Sequence, residues 1–104
     1  PRNFTFKMSA IRLHVSFEAN DPAKLVELAK PLVAATKKED GCIDYSLFRE
    51  VDDESGKRFA MIEHWASEAA LQAHMKQPHV QEFLANSKDI LEGHVAIKKY
   101  TLAV

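Results

Sequence analysis

Between Arg58 and Trp65 the residues Phe59, Met61, Glu63 and Trp65 alternate with Ala60, Ile62 and His64, so both faces of the strand this spacing predicts are largely apolar. A strand of that kind lies inside a sheet and is covered on both sides. Three other segments alternate in the same way. Ala10 to Phe17 sets Ile11, Leu13, Val15 and Phe17 against Arg12, His14 and Ser16. Cys42 to Arg49 sets Ile43, Tyr45 and Leu47 against Asp44, Ser46 and Phe48, and Val95 to Leu102 sets Val95, Ile97 and Lys99 against Ala96, Lys98, Tyr100 and Leu102.

Helical spacing fills the gaps. Asn20 and Asp21 are capping residues, Pro22 suits a first turn, and Leu25, Leu28, Ala29, Leu32, Val33 and Thr36 follow before Gly41 supplies a stop. Pro31 lacks a backbone donor and predicts a kink inside that helix. Ser67 caps a second helix through Ala70, Leu71, His74 and Met75; Pro78 interrupts it before Val80, Phe83 and Leu84, and Gly93 ends the region. The order strand, helix, strand, strand, helix, strand predicts an α+β, ferredoxin-like βαββαβ domain on one antiparallel sheet. Helices cover one sheet face, and apolar side chains on the other predict a second copy packed sheet to sheet, a homodimer.

A chain of 104 residues has room for one core. Lys and Arg (14) nearly balance Asp and Glu (15), and no basic run exceeds Lys37-Lys38, which argues against a nucleic-acid partner. The single cysteine, Cys42, excludes an intrachain disulfide and a thiolate zinc cluster and fits a reducing, cytoplasmic setting. Apolar stretches fall far short of the roughly 20 residues of a membrane helix, so no membrane partner is expected. Met8 followed by Ser-Ala-Ile-Arg-Leu reads as a start just before a strand, which makes 1–7 an upstream extension or a cloning remnant and 8–104 the domain.

The run Ile62-Glu63-His64-Trp65-Ala66-Ser67-Glu68-Ala69-Ala70-Leu71-Gln72-Ala73-His74, followed by Gln77-Pro78-His79-Val80-Gln81-Glu82-Phe83, resembles the signature of the antibiotic-biosynthesis-monooxygenase domains. Glu39-Asp40-Gly41-Cys42-Ile43-Asp44-Tyr45 resembles the same family's turn into its second strand. The resemblance implies a dimeric α/β barrel with a pocket between sheet and helices in each subunit. Its members oxygenate quinols or polycyclic phenols without metal or flavin, degrade haem, or rearrange small sugar-derived signalling molecules, so fold alone does not select a reaction. Where haem-degrading relatives hold a tryptophan and a histidine, this chain holds His74 and Leu84, which argues against haem. Where polyketide-oxygenating relatives carry an asparagine, it has Met61, although Trp65 agrees with them.

A cofactor-free oxygenase must deprotonate a phenol or enol that can itself reduce dioxygen, and must hold the anion in a dry pocket. His74, beside an apolar helical stripe, is the candidate base, with a bonded core histidine as the plainer reading. Glu63, among Phe59, Met61 and Trp65, is the candidate second proton carrier, or else an ion-pair partner of Arg12 or Lys98. Trp65, Tyr45, His79 and Met61 are the candidate substrate-binding residues; the aromatics also read as core and His79 as a helix cap. No metal site is expected, because His74 and His79 stand five apart and no acidic residue completes a ligand set. The expected function is a cofactor-free monooxygenase joining a small quinol or phenol to dioxygen. The alternatives are an isomerase of small carbonyl metabolites and a non-catalytic ligand-binding dimer.

Overall fold

The computed structural model describes residues 10–104, so the 1–7 segment and the proposed start at Met8 lie outside the described residues. Strand β1 (Ile11–Ala19) leads to helix α1 (Pro22–Thr36), then strands β2 (Cys42–Arg49) and β3 (Arg58–Trp65). Helices α2 (Glu68–Met75) and α3 (Pro78–Ser87) precede strand β4 (Leu91–Tyr100). The sheet runs β2-β3-β1-β4, all neighbours antiparallel. β3 is thus an inner strand, as its two apolar faces require. Among the described residues no helix is long and apolar enough to cross a membrane.

The helices cover one face. Leu25 and Leu32 of α1, Leu71 of α2 and Val80 of α3 are buried against Leu13, Phe17, Phe59, Met61 and Trp65 of the sheet. Each large apolar side chain taken wholly out of water contributes about 1.5–3 kcal/mol. The caps fall where expected: the Asp21 carboxylate accepts from the Lys24 amide (3.1 Å) and the Ser67 hydroxyl from the Ala70 amide (3.1 Å).

α1 runs continuously from Pro22 to Thr36 with Pro31 inside it. Three local expectations change. The predicted second helix is two, α2 and α3, with Pro78 opening α3. In β2 the register slips between Cys42, opposite Trp65, and Asp44, opposite His64. That bulge turns Ile43 out to 52% exposure and brings Cys42 against the core, so Ile43 does not share the face of Tyr45. β4 begins at Leu91, and Gly93 lies within it at φ 73° near a second register shift instead of ending a helix.

Gly41 fixes the approach of the turn after α1. Its φ is +81°, and a Cβ there would stand 2.6 Å from the Ala70 Cβ, while its carbonyl accepts from the Ala66 amide at 2.8 Å. The glycine lets this turn lie directly on α2, and with it comes Glu39.

Candidate functional site

Glu39 follows the end of α1, held by its amide to the Thr36 carbonyl at 3.0 Å and by its carbonyl to the Cys42 amide at 3.2 Å. Its Oε2 lies 2.9 Å from Nδ1 of His74, in the last turn of α2, and 2.6 Å from Nε2 of His79, in the first turn of α3. One carboxylate oxygen therefore receives two imidazole N–H groups from different helices. A carboxylate on one ring nitrogen sets the tautomer and the ring orientation, and leaves the other nitrogen able to accept a proton.

His74 is buried, with only 2% of its surface exposed. Its ring packs against two aromatics, centroid to centroid 4.7 Å from Trp65 and 5.2 Å from Tyr45. Among the described residues Nε2 has no hydrogen-bond partner, and the side chain lines a cavity of about 240 Å³ beneath the helices. Leu13, Val15, Met61, Phe83 and Ile97 supply apolar wall; Tyr45, Glu63 and His74 are its ionisable groups. Two larger hollows, one by Arg12, Ile43 and Tyr100 and one between α1 and β2, hold no buried ionisable side chain.

Glu63 is buried at the cavity wall and accepts a 2.9 Å hydrogen bond from Trp65 Nε1. The ion pair with Arg12 or Lys98 does not form, because β3 presents Glu63 to the helix side while Arg12 and Lys98 belong to the opposite sheet face. Burial pushes the Glu63 carboxyl up to about 7; the Trp65 bond partly opposes this and the negative charge of Glu39 adds to it. Burial, helped by Glu63 and Glu39, raises the Tyr45 phenol far above its ordinary range, so it stays protonated at neutral pH. Burial and Glu39 likewise push the Cys42 thiol up to about 11, which removes it as a thiolate nucleophile.

The raised carboxyl of Glu63 carries a stability consequence. The folded state holds this proton more tightly than the unfolded chain, so stability falls as pH rises from the ordinary carboxylate range through about 7. Glu63→Gln keeps an acceptor for Trp65 without the charge. The variant is expected to gain stability over wild type at pH 8 and little at pH 5, by up to about 3 kcal/mol. Urea unfolding at both pH values measures it, and an equal difference at both contradicts the assignment.

Of the sequence candidates, His74, Glu63, Tyr45 and Met61 converge on the cavity. Trp65 does not line it: it is fully buried at 0% exposure behind His74 and Tyr45, where it holds Glu63. His79 also lies off the cavity wall, bound to Glu39. Glu39 is the residue the sequence reading passed over as a functional group, and it overturns the statement that no acidic residue accompanies the two histidines. It lies 35 positions before His74, and the local signal for it was Gly41, whose lack of a side chain marks a close approach.

Fold and site together define a small ferredoxin-like domain with a largely apolar cavity bearing a carboxylate-held histidine. The sequence profile of the family described as antibiotic biosynthesis monooxygenase matches residues 9–86, and the chain belongs to that family. It is 27% identical over 96 residues to YcnE of Bacillus subtilis, a protein provisionally named a monooxygenase, covering 92% of this chain and 99% of that one. It is 28% identical over 90 residues to the uncharacterised protein sll1783 of Synechocystis, covering 86% of this chain but only 60% of the relative's length. A conserved protein of Methanosarcina mazei superposes with a TM-score of 0.84 at 28% identity, over 94% of this chain and 97% of the other. SnoaB of Streptomyces nogalater, a cofactor-independent oxygenase, superposes at 0.78 over 90% and 93% of the two chains; at 16% identity this likeness shows the fold.

Proposed function

We propose that the protein is a cofactor-independent monooxygenase of a small quinol or phenol, with His74 as base, Glu63 as second proton carrier, and Tyr45 and Met61 against the substrate. One observation carries the reading: a largely apolar cavity holds a buried imidazole whose Nδ1 is tied to Glu39 and whose Nε2 is free. The family supports oxygenase chemistry, and SnoaB shares the fold. Net, a phenol and dioxygen give a quinone and water. His74 takes the phenol proton, and the electron-rich anion passes electrons to dioxygen as a ring carbon bonds to it. The His74 proton goes to the bound oxygen, the ring C–H proton leaves to a base as the O–O bond breaks, and the departing hydroxide ends as water. An apolar wall favours the charge-poor transfer to dioxygen and keeps the reactive intermediate from bulk water.

Purified, chelator-treated protein is expected to consume dioxygen with a dihydroxynaphthalene or related quinol, read with an oxygen electrode. No consumption across a panel of quinols and phenols removes the reading. Two proton carriers on one cavity, His74 and Glu63, also suit an isomerase that moves a proton between carbons. Anaerobic turnover of a small hydroxycarbonyl substrate would establish that alternative instead.

The working unit we propose is a homodimer in a reducing, cytoplasmic setting. The sheet face away from the helices carries Phe48, Ala60, Ile62, Ala96 and Tyr100, of which Phe48 and Tyr100 are about half exposed in the single chain. A second copy packed on this face removes them from water. Sedimentation is expected to give a dimer, and Ile62→Asp, which places a charge in the inner part of that face, to give a monomer; a wild-type monomer contradicts it.

A further inference from the structure

We propose that Glu39, His74 and His79 form a binding site for one first-row divalent transition metal of the zinc, cobalt or nickel class. Three donors from three separate segments converge here: a carboxylate from the turn after α1, Nδ1 from α2 and Nε2 from α3. The ligand-capable atoms all lie within 4.8 Å of one another. A tetrahedral ion with bonds of about 2.0–2.1 Å holds its donors a little over 3 Å apart. To admit one, the contacts of 2.9 and 2.6 Å open by less than about an ångström, and the two imidazole donors, within 4.8 Å of each other, draw together to match.

The donor chemistry selects the ion. Two imidazoles and one carboxylate suit zinc and its neighbours, whereas calcium and magnesium prefer all-oxygen sets. Three protein ligands leave a fourth position open, the arrangement of exchangeable sites. Access is through His79, whose side chain is 22% exposed against 3% for His74. The Trp65 and Tyr45 rings hold the His74 imidazole in place, which lowers the cost of assembling the site. Coordination through Nδ1 leaves the His74 proton on Nε2, so metal and substrate proton compete for one ring. That consequence, unlike the site itself, rests on the reading of His74 as base.

The test uses tag-free full chain, dialysed against chelator and titrated with zinc chloride in a calorimeter and with cobalt(II) in a spectrophotometer. The expected result is one equivalent of zinc and visible cobalt bands of a low-coordinate site. Glu39→Gln and His79→Ala each weaken binding by roughly tenfold or more, while His94→Ala, at an exposed histidine elsewhere, leaves it unchanged. Absence of heat and bands overturns the proposal, as does undiminished affinity in His79→Ala or loss of binding in His94→Ala. Circular dichroism reports folding, and should Glu39→Gln not fold, the partly exposed His79→Ala decides alone. Binding is read without turnover, so its failure is separate from a failure of the oxygenase reading. Inhibition of oxygen uptake by equimolar zinc is the added expectation where both hold.

Discussion

Replacing His74 with alanine is expected to lower quinol-dependent oxygen consumption by about 10²–10⁴-fold, the range contributed by a positioned general base. Nothing else on the cavity wall replaces it. Tyr45 is a phenol held protonated, and Glu63, pushed up to about 7, is partly protonated itself. The effect falls mainly on turnover, because the apolar wall that binds a flat substrate is untouched. Glu39→Gln keeps the base but removes the charge that steadies the imidazolium, so its loss is expected to be smaller. An oxygen electrode and a circular dichroism spectrum settle the matter: a folded His74→Ala protein with wild-type uptake ends the assignment. If that variant still bound the quinol while neither it nor wild type turned over, the binding-module reading would be favoured.

Trp65→Ala is expected to cost about 3–5 kcal/mol of stability, a large share of the roughly 5–15 kcal/mol of a domain this size. Trp65 is fully buried in the core with Leu13, Leu32, Tyr45, Met61, Leu71 and Val80, against the rings of Tyr45 and His74. Its removal leaves a void and strips Glu63 of its hydrogen-bond donor. Urea unfolding measures the cost, and a loss under about 1 kcal/mol contradicts this placement. Trp65→Phe separates the two roles. It keeps most of the volume but not the indole N–H, and since that bond favours the carboxylate, the Glu63 carboxyl moves above 7.

The strand and helix order was legible because each element writes its own period. β3 was the plainest case: Phe59, Met61, Glu63 and Trp65 are all buried on the helix side, and the strand lies between β1 and β2. The helix caps at Asp21 and Ser67 were equally local, since a capping side chain reaches only the next turn. The bulge at Ile43 was not, because period-two reading assumes an unbroken register and only the partner strand sets where it slips. Gly93 misled for a similar reason: a glycine marks a needed backbone freedom, not the element that needs it.

The site divides along the same line. His74 and Glu63 could be picked out by residue type on an apolar face, for that much is a property of one helix and one strand. Which ring nitrogen of His74 is held, by which carboxylate, and which of the aromatic candidates faces the hollow belong to the packing. Glu39 reaches His74 across 35 positions only because Gly41 lets its turn touch Ala70, while Trp65 sits behind the wall instead of on it. The chain by itself determined the elements and their greasy faces, since hydrophobic periodicity acts over a few residues. Tertiary structure alone decided the contacts of Glu39 with His74 and His79 and the cavity, since hydrogen bonds of under 3 Å between distant segments depend on how helices settle on the sheet.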